Sequence, residues 1–164
     1  IRTYVSRCFI IYSMPTNFWK DEHFAELETL NDFTEMVQLA FSILESMPTP
    51  VVEVCGPITT GGRTIEENAA IFKKTIARLT EEGNTVFNQM PFQETIERIC
   101  EEQKVVGYPS DLLDKFYLPL FESGKINTLC FLPGWEKSKG ASWEHAQGQR
   151  LNLKIVYLAD DYAN

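Results

Sequence analysis

A five-residue, largely β-branched run, Val51-Val52-Glu53-Val54-Cys55, passes without a spacer into Gly56-Pro57-Ile58-Thr59-Thr60-Gly61-Gly62-Arg63 and then into a helix start at Thr64. A short buried strand, a glycine-bearing turn and a capped helix in immediate succession form a βα unit of a parallel sheet. Glu67, three residues after Thr64, completes a capping box. Ile65, Ala69, Phe72, Ile76 and Leu79 recur at steps of four and three and mark one buried helix face, which Gly83 terminates.

The alternation continues. Thr85 to Asn88 and Ile126 to Leu132 read as strands, the second closed by Pro133-Gly134, and Leu153 to Leu158 as the last. Phe92 to Gln103, Ser110 to Ser123 and Ala141 to Leu151 read as helices, with a kink expected at Pro119 because proline cannot continue the backbone ladder. The expected fold is therefore α/β, a flavodoxin-like or Rossmann-like parallel sheet with helices on both faces. Open sheets of that kind bind ligands beyond the carboxyl ends of their strands, so the loops after Cys55, Asn88 and Leu132 are the places for a site.

Residues 1–48 differ in character and read as a mainly helical N-terminal extension to an α/β domain of residues 49–164. Arg2 to Ser13 is expected to hold a strand. Phe33, Met36, Val37, Ala40, Phe41 and Leu44 line one helix face, Asp32 with Glu35 caps its start, and Met47-Pro48-Thr49-Pro50 ends it.

The 164 residues fit a single domain, and 44% hydrophobic residues suffice for its core. A net charge of −8, from 23 acidic and 15 basic residues, repels a phosphate backbone and argues against nucleic acid as a partner. No apolar run approaches the roughly 18 residues that span a bilayer, and no leader peptide is recognisable, so a cytoplasmic protein without membrane association is expected. Cys8, Cys55, Cys100 and Cys130 form no C-x-x-C pair and read as reduced thiols, with Cys55 and Cys130 in apolar runs and buried. His23 and His145 are too few and too far apart for a metal site, and His145 reads as a helix-surface residue.

Two stretches carry candidate chemistry. The glycines of the loop Gly56 to Arg63 let backbone N–H groups approach a ligand ahead of a helix N-terminus, and Arg63 suits a phosphate or carboxylate. The loop has neither the G-x-G-x-x-G spacing nor the G-K-[ST] ending of known phosphate loops, and a tight connection with a surface arginine fits equally. The second stretch runs from Leu132-Pro133-Gly134-Trp135 through Ser138-Lys139-Gly140 to Trp143-Glu144. A carboxylate beside two tryptophans and an anion-favouring helix start suits attack on an anomeric carbon. By pattern alone, Glu144 also fits an ordinary first-turn glutamate favoured by the helix dipole.

From Val51 to Leu158 the chain resembles the nucleoside 2-deoxyribosyltransferase superfamily, including the deoxynucleoside 5′-monophosphate N-glycosidases. The match rests on Gly56-Pro57-Ile58-Thr59-Thr60-Gly61-Gly62-Arg63 and on Ser138-Lys139-Gly140-Ala141-Ser142-Trp143-Glu144. The strand ending in Leu132-Pro133-Gly134-Trp135 is similar to small, mostly uncharacterised domains of the same superfamily. The resemblance implies cleavage or transfer at the N-glycosidic bond of a (deoxy)nucleoside or nucleoside 5′-monophosphate, with Glu144 as nucleophile, a covalent glycosyl-glutamate and no cofactor. It implies Gly56, Pro57, Ile58, Gly62, Arg63, Trp135, Ser138 and Gly140 as substrate-binding residues, Ser138 donating to a 5′-phosphate. Asp114, with Asp111 beside it, is the candidate for the family's aspartate that protonates the leaving base, and Thr128 stands where many relatives carry an aspartate. A homodimer or larger homo-oligomer is also implied. Two alternatives remain at this point: a non-catalytic nucleotide-binding or sensor module, and an NAD-type glycohydrolase.

Overall fold

A computed structural model describes residues 18–59 and 62–163 of the chain, so the strand expected within Arg2 to Ser13 lies outside the described residues. The elements are α1 (Asp21–Leu27), α2 (Phe33–Glu45), β1 (Val51–Cys55), α3 (Ile65–Glu81), β2 (Thr85–Phe87) and α4 (Gln93–Glu102). After these come α5, built of Ser110–Leu112, Leu113–Tyr117 and Leu118–Glu122, then β3 (Ile126–Phe131), α6 (Lys139–Arg150) and β4 (Lys154–Tyr157). The four strands lie in the order β2-β1-β3-β4 and every pairing is parallel. The α/β class and the parallel sheet agree with the sequence reading.

Strand alternation divides β1 between two cores. Val52 and Val54 face α3 and pack with Phe72, Ile76 and Leu79, the helix stripe expected from the sequence. Val51 and Cys55 face the opposite core, which holds Phe87, Phe92, Phe116, Phe121, Leu129 and Phe131. Glu53, between them in a strand of period two, faces the same way. At the base of the sheet β3 carries an irregularity, Asn127 standing opposite no β1 residue. The Asn127 side chain compensates, its Oδ1 accepting the Val51 N–H at 2.8 Å.

The expected caps form with one refinement. Thr64 Oγ1 accepts the Glu67 N–H at 3.1 Å, and Glu67 Oε2 accepts the Thr64 N–H at 2.8 Å. Asp32 Oδ1 accepts the N–H groups of Thr34 and Glu35, but Glu35 reaches back to the Asn31 N–H, one residue beyond the expected partner. The helix α2 then belongs to the main core: Met36 and Ala40 are fully buried among the residues that pack on the sheet. Arg98 and Thr95 of α4 donate to the Leu27 carbonyl and Arg98 also to that of Leu30, which ties α1 to the same layer.

The helix α5 departs from expectation in how it accommodates Pro119. A kink was expected at the proline; the helix instead widens just before it into a π-turn, where the Leu118 N–H donates to the Leu113 carbonyl five residues back. The wider turn relieves the clash that a proline ring makes with the carbonyl four residues earlier. It also brings Leu112, Leu113 and Tyr117 to one wall of a cavity.

Candidate active site

Beyond the carboxyl ends of β1 and β3, where the strand order reverses direction, lies a cavity of about 460 Å³. That volume falls within the range of roughly 300–1,000 Å³ typical of small-molecule sites. Gly56, Ile58 and Thr59 form its lip after β1; Gln93 and Glu97 of α4, Tyr108, Tyr117 of α5, and Ser138 to Ala141 with Glu144 of α6 complete the walls.

The turn that leads into α6 is set by sequence. Pro133 and Gly134 occupy the two central positions of a turn closed by the Trp135 N–H and the Leu132 carbonyl at 3.2 Å, and Gly134 takes the positive φ of 80° that this turn requires. Ser138 is the N-cap of α6, its Oγ accepting the Ala141 N–H at 3.3 Å. The helix begins at Lys139, two residues before the expected Ala141, so Glu144 lies in the second turn, four residues after Gly140 and on the same side. The first-turn residues Lys139 and Gly140 of α6 thus edge the cavity whose wall Glu144 forms, and a helix N-terminus there is suited to an anionic ligand. Gly140 lies close to Tyr108: a Cβ there would stand 2.5 Å from the hydroxyl oxygen at the far end of that side chain. Gly56 is likewise constrained, a Cβ falling 2.8 Å from Leu132 Cδ1.

Glu144 is 7% exposed. Burial pushes its carboxyl up to about 7, and a hydrogen bond from the Cys55 thiol draws it partly back toward the ionised form. At neutral pH the group is thus divided between acid and carboxylate. Around it stands a set of weak acids. Burial and the Glu144 charge raise the Cys55 thiol and the Tyr117 hydroxyl well above their ordinary ranges and push Tyr108 up to about 12. Glu53, 0% exposed, is raised well above the carboxylate range by burial and then by Glu144.

Of the residues expected from the sequence, Gly56, Ile58, Ser138, Gly140 and Glu144 meet at this cavity. Gly62 and Arg63 are exposed and Pro57 half-buried, all three outside the cavity lining; Thr60 and Gly61 between them lie outside the described residues. Trp135 is also away from it, stacked on the His145 ring at 4.3 Å between centroids, while His145 Nε2 meets the Tyr157 hydroxyl at 2.7 Å. His145 is thereby a half-buried member of an aromatic cluster rather than a free surface residue. Asp114 is exposed on α5 and does not reach the cavity, because the wide turn presents Leu113 and Tyr117 inward instead. Asp111 is engaged with Lys115 at 2.6 Å. Arg150 pairs with Glu122 at 2.9 Å at the far end of α6. Cys55 is buried as expected and Lys139 of the expected Ser138-Lys139-Gly140 turn lines the cavity, but the bond of Cys55 to Glu144 was not foreseen, nor were the contributions of Tyr108, Tyr117, Gln93 and Glu97.

The fold and the site define an open α/β domain with a ligand-sized cavity at its topological switch point and a buried carboxyl in the cavity wall. The chain belongs to the family described as Domain of unknown function (DUF4406), which matches residues 50–157. No curated protein and no solved structure matches it. Among the described residues, no helix is long and apolar enough to cross a membrane.

Proposed function

We propose that the protein cleaves or transfers at the N-glycosidic bond of a (deoxy)nucleoside or nucleoside 5′-monophosphate, with Glu144 as the nucleophile. The observation that carries this reading is a carboxyl buried in the wall of a small-molecule cavity whose rim is a helix N-terminus. As carboxylate, Glu144 would attack C1′ as the bond to the base breaks, giving a glycosyl ester that water or a second base resolves. The Cys55 hydrogen bond holds a nucleophilic oxygen in place and favours its ionised form. Ser138 uses its oxygen as an acceptor in the cap, which leaves the hydroxyl proton to donate to a 5′-phosphate beside Lys139 and the first N–H groups of α6.

The test is a screen of nucleosides, 5′-monophosphates and NAD for free base. Glu144→Gln and Glu144→Ala are expected to abolish release while the protein stays folded by circular dichroism, and mass spectrometry of quenched wild-type protein is expected to show a glycosyl adduct on Glu144. Base release by the Glu144→Ala protein at the wild-type rate would sink the reading. The position of Asp114 outside the cavity favours one rival, a nucleotide-binding or sensor module without turnover. Calorimetric binding of a nucleotide with no base release over long incubation selects that rival. The resemblance further proposes a cytoplasmic homo-oligomer, which light scattering on the purified protein checks for assembly.

A further inference from the structure

Resting on the reading of the cavity as the site of a nucleoside or nucleotide, we infer that Gln93 and Glu97 of α4 hold the base and select guanine. Strands β2 and β3 flank β1 on opposite sides. Helix α4, which follows β2, and α6, which follows β3, therefore stand on opposite sides of the cavity above β1. The α6 side holds Ser138, Lys139 and Glu144, the groups already assigned to the phosphate and to C1′. The α4 side presents Gln93, Ile96, Glu97 and Cys100, whose spacing puts them on one face of the helix. Glu94, Glu101 and Glu102 of α4 are exposed, whereas Glu97 is half-buried against the cavity. Among the described residues of the lining it is the one carboxyl besides Glu144, and nothing in the glycosyl-transfer step uses it.

The two polar side chains are already ordered with respect to each other: Gln93 Nε2 donates to Glu97 Oε1 at 3.4 Å. That contact fixes the amide, because the reverse orientation would set its oxygen against a carboxylate. One Nε2 proton serves Glu97 and the second is available to a ligand acceptor, while a carboxylate has about four acceptor sites, more than Gln93 can use. Along the stripe the wall thus offers a donor and then two acceptors. Guanine presents the complement on the edge away from its sugar: O6, N1–H and the N2 amino group. Hypoxanthine supplies only the first two. Thymine supplies those and then sets a carbonyl oxygen against the carboxylate. Adenine and cytosine begin with a donor and continue with an acceptor, opposing both side chains. A site built to hydrogen-bond one edge rejects the others because its own polar groups are left unpaired. Ile58, Ile96, Leu112 and Leu113 supply apolar wall for the faces of the ring.

Base selectivity tests the inference, and binding reads it without reliance on turnover. The 2′-deoxynucleoside 5′-monophosphates of guanine, hypoxanthine, thymine, adenine and cytosine are titrated into the wild-type protein by calorimetry, with base release followed in parallel. Guanine is expected to bind tightest, hypoxanthine about tenfold weaker, and adenine and cytosine about 10²-fold or more weaker, as the loss of one and of two hydrogen bonds implies. Where base is released, kcat/KM is expected to follow the same order. Gln93→Met, which lacks the donor to O6, is expected to weaken guanine and hypoxanthine alike. Glu97→Gln keeps the shape but puts a donor where an acceptor stood, and is expected to narrow the preference for guanine over adenine by about tenfold or more. Similar wild-type affinities for all the bases, a preference for another base, or an equal loss for every base in Glu97→Gln overturns the inference. Selective binding of the guanine nucleotide with no base released upholds it and overturns the glycosyl-transfer reading in favour of the binding module. Binding of none of the nucleotides overturns both.

Discussion

Glu144 is more costly to the folded protein as a carboxylate than as an acid, and that gives it a signature readable without any substrate. Its folded-state value is raised from 4.5 to about 7 by burial. Folding therefore gains from this group below pH 4.5, and the gain is lost as pH rises through about 7. The shift corresponds to on the order of 3 kcal/mol. Glu144→Gln, which does not ionise, is expected to grow more stable relative to wild type by about that amount between pH 4.5 and about 8, measured by urea denaturation. A flat difference across that range would show that Glu144 ionises freely. Glu53 works in the same direction, so Glu53→Gln is expected to be more stable than wild type at neutral pH. Instability at the site and reactivity at the site have one source, the desolvated carboxyl.

At the scale of elements, helices meet the sheet and the cavity through glycines. A Cβ on Gly148 of α6 would stand 2.9 Å from Leu129 Cδ1 on β3. Gly148→Ala is thus expected to push α6 off the sheet, costing about 1–3 kcal/mol of stability and moving Glu144 with the helix, as a thermal melt and an activity assay would report. Gly140→Ala, set against the mobile end of Tyr108, is expected to leave the melting temperature nearly unchanged and weaken ligand binding by calorimetry. The sequence makes α3 and its capping box legible, since Thr64, Glu67 and the apolar stripe all act locally. It makes the Ser138 turn and Glu144 legible too, because Pro133, Gly134 and Ser138 each demand a particular backbone. The π-turn before Pro119 was not legible: nothing in Leu113 to Tyr117 says whether a proline will bend the helix or widen it. Asp114 was expected at the site from the family resemblance alone, and α5 presents Leu112, Leu113 and Tyr117 to the cavity instead. Glu53 left a clearer sign, an acidic residue within a run of valines, which outward-facing strand positions would also explain.

In the whole molecule, the family match begins at residue 50, whereas the core begins earlier. Leu39, Ala40, Ile43 and Leu44 of α2 are buried in the same cluster as Phe116, Leu129 and Phe131. A chain starting at residue 49 would strip these residues from the core they share with α5 and β3, so it is expected to be insoluble or to lack a cooperative melt. A soluble, cooperatively melting fragment would make α1 and α2 a dispensable layer. The amphipathic pattern of α2 was visible in the sequence; that its apolar face meets this chain's own core, chiefly α5, rather than a second subunit, was not, because periodicity marks a buried face without naming what buries it. The strand order β2-β1-β3-β4 has a consequence for the protein's synthesis. Glu53 leaves the ribosome 91 residues ahead of Glu144, and β1 meets β3 only after two intervening crossovers have been made. The two acids come together only as one of the last long-range contacts is made, so a nascent chain or a truncated product carries the parts of the site without its chemistry.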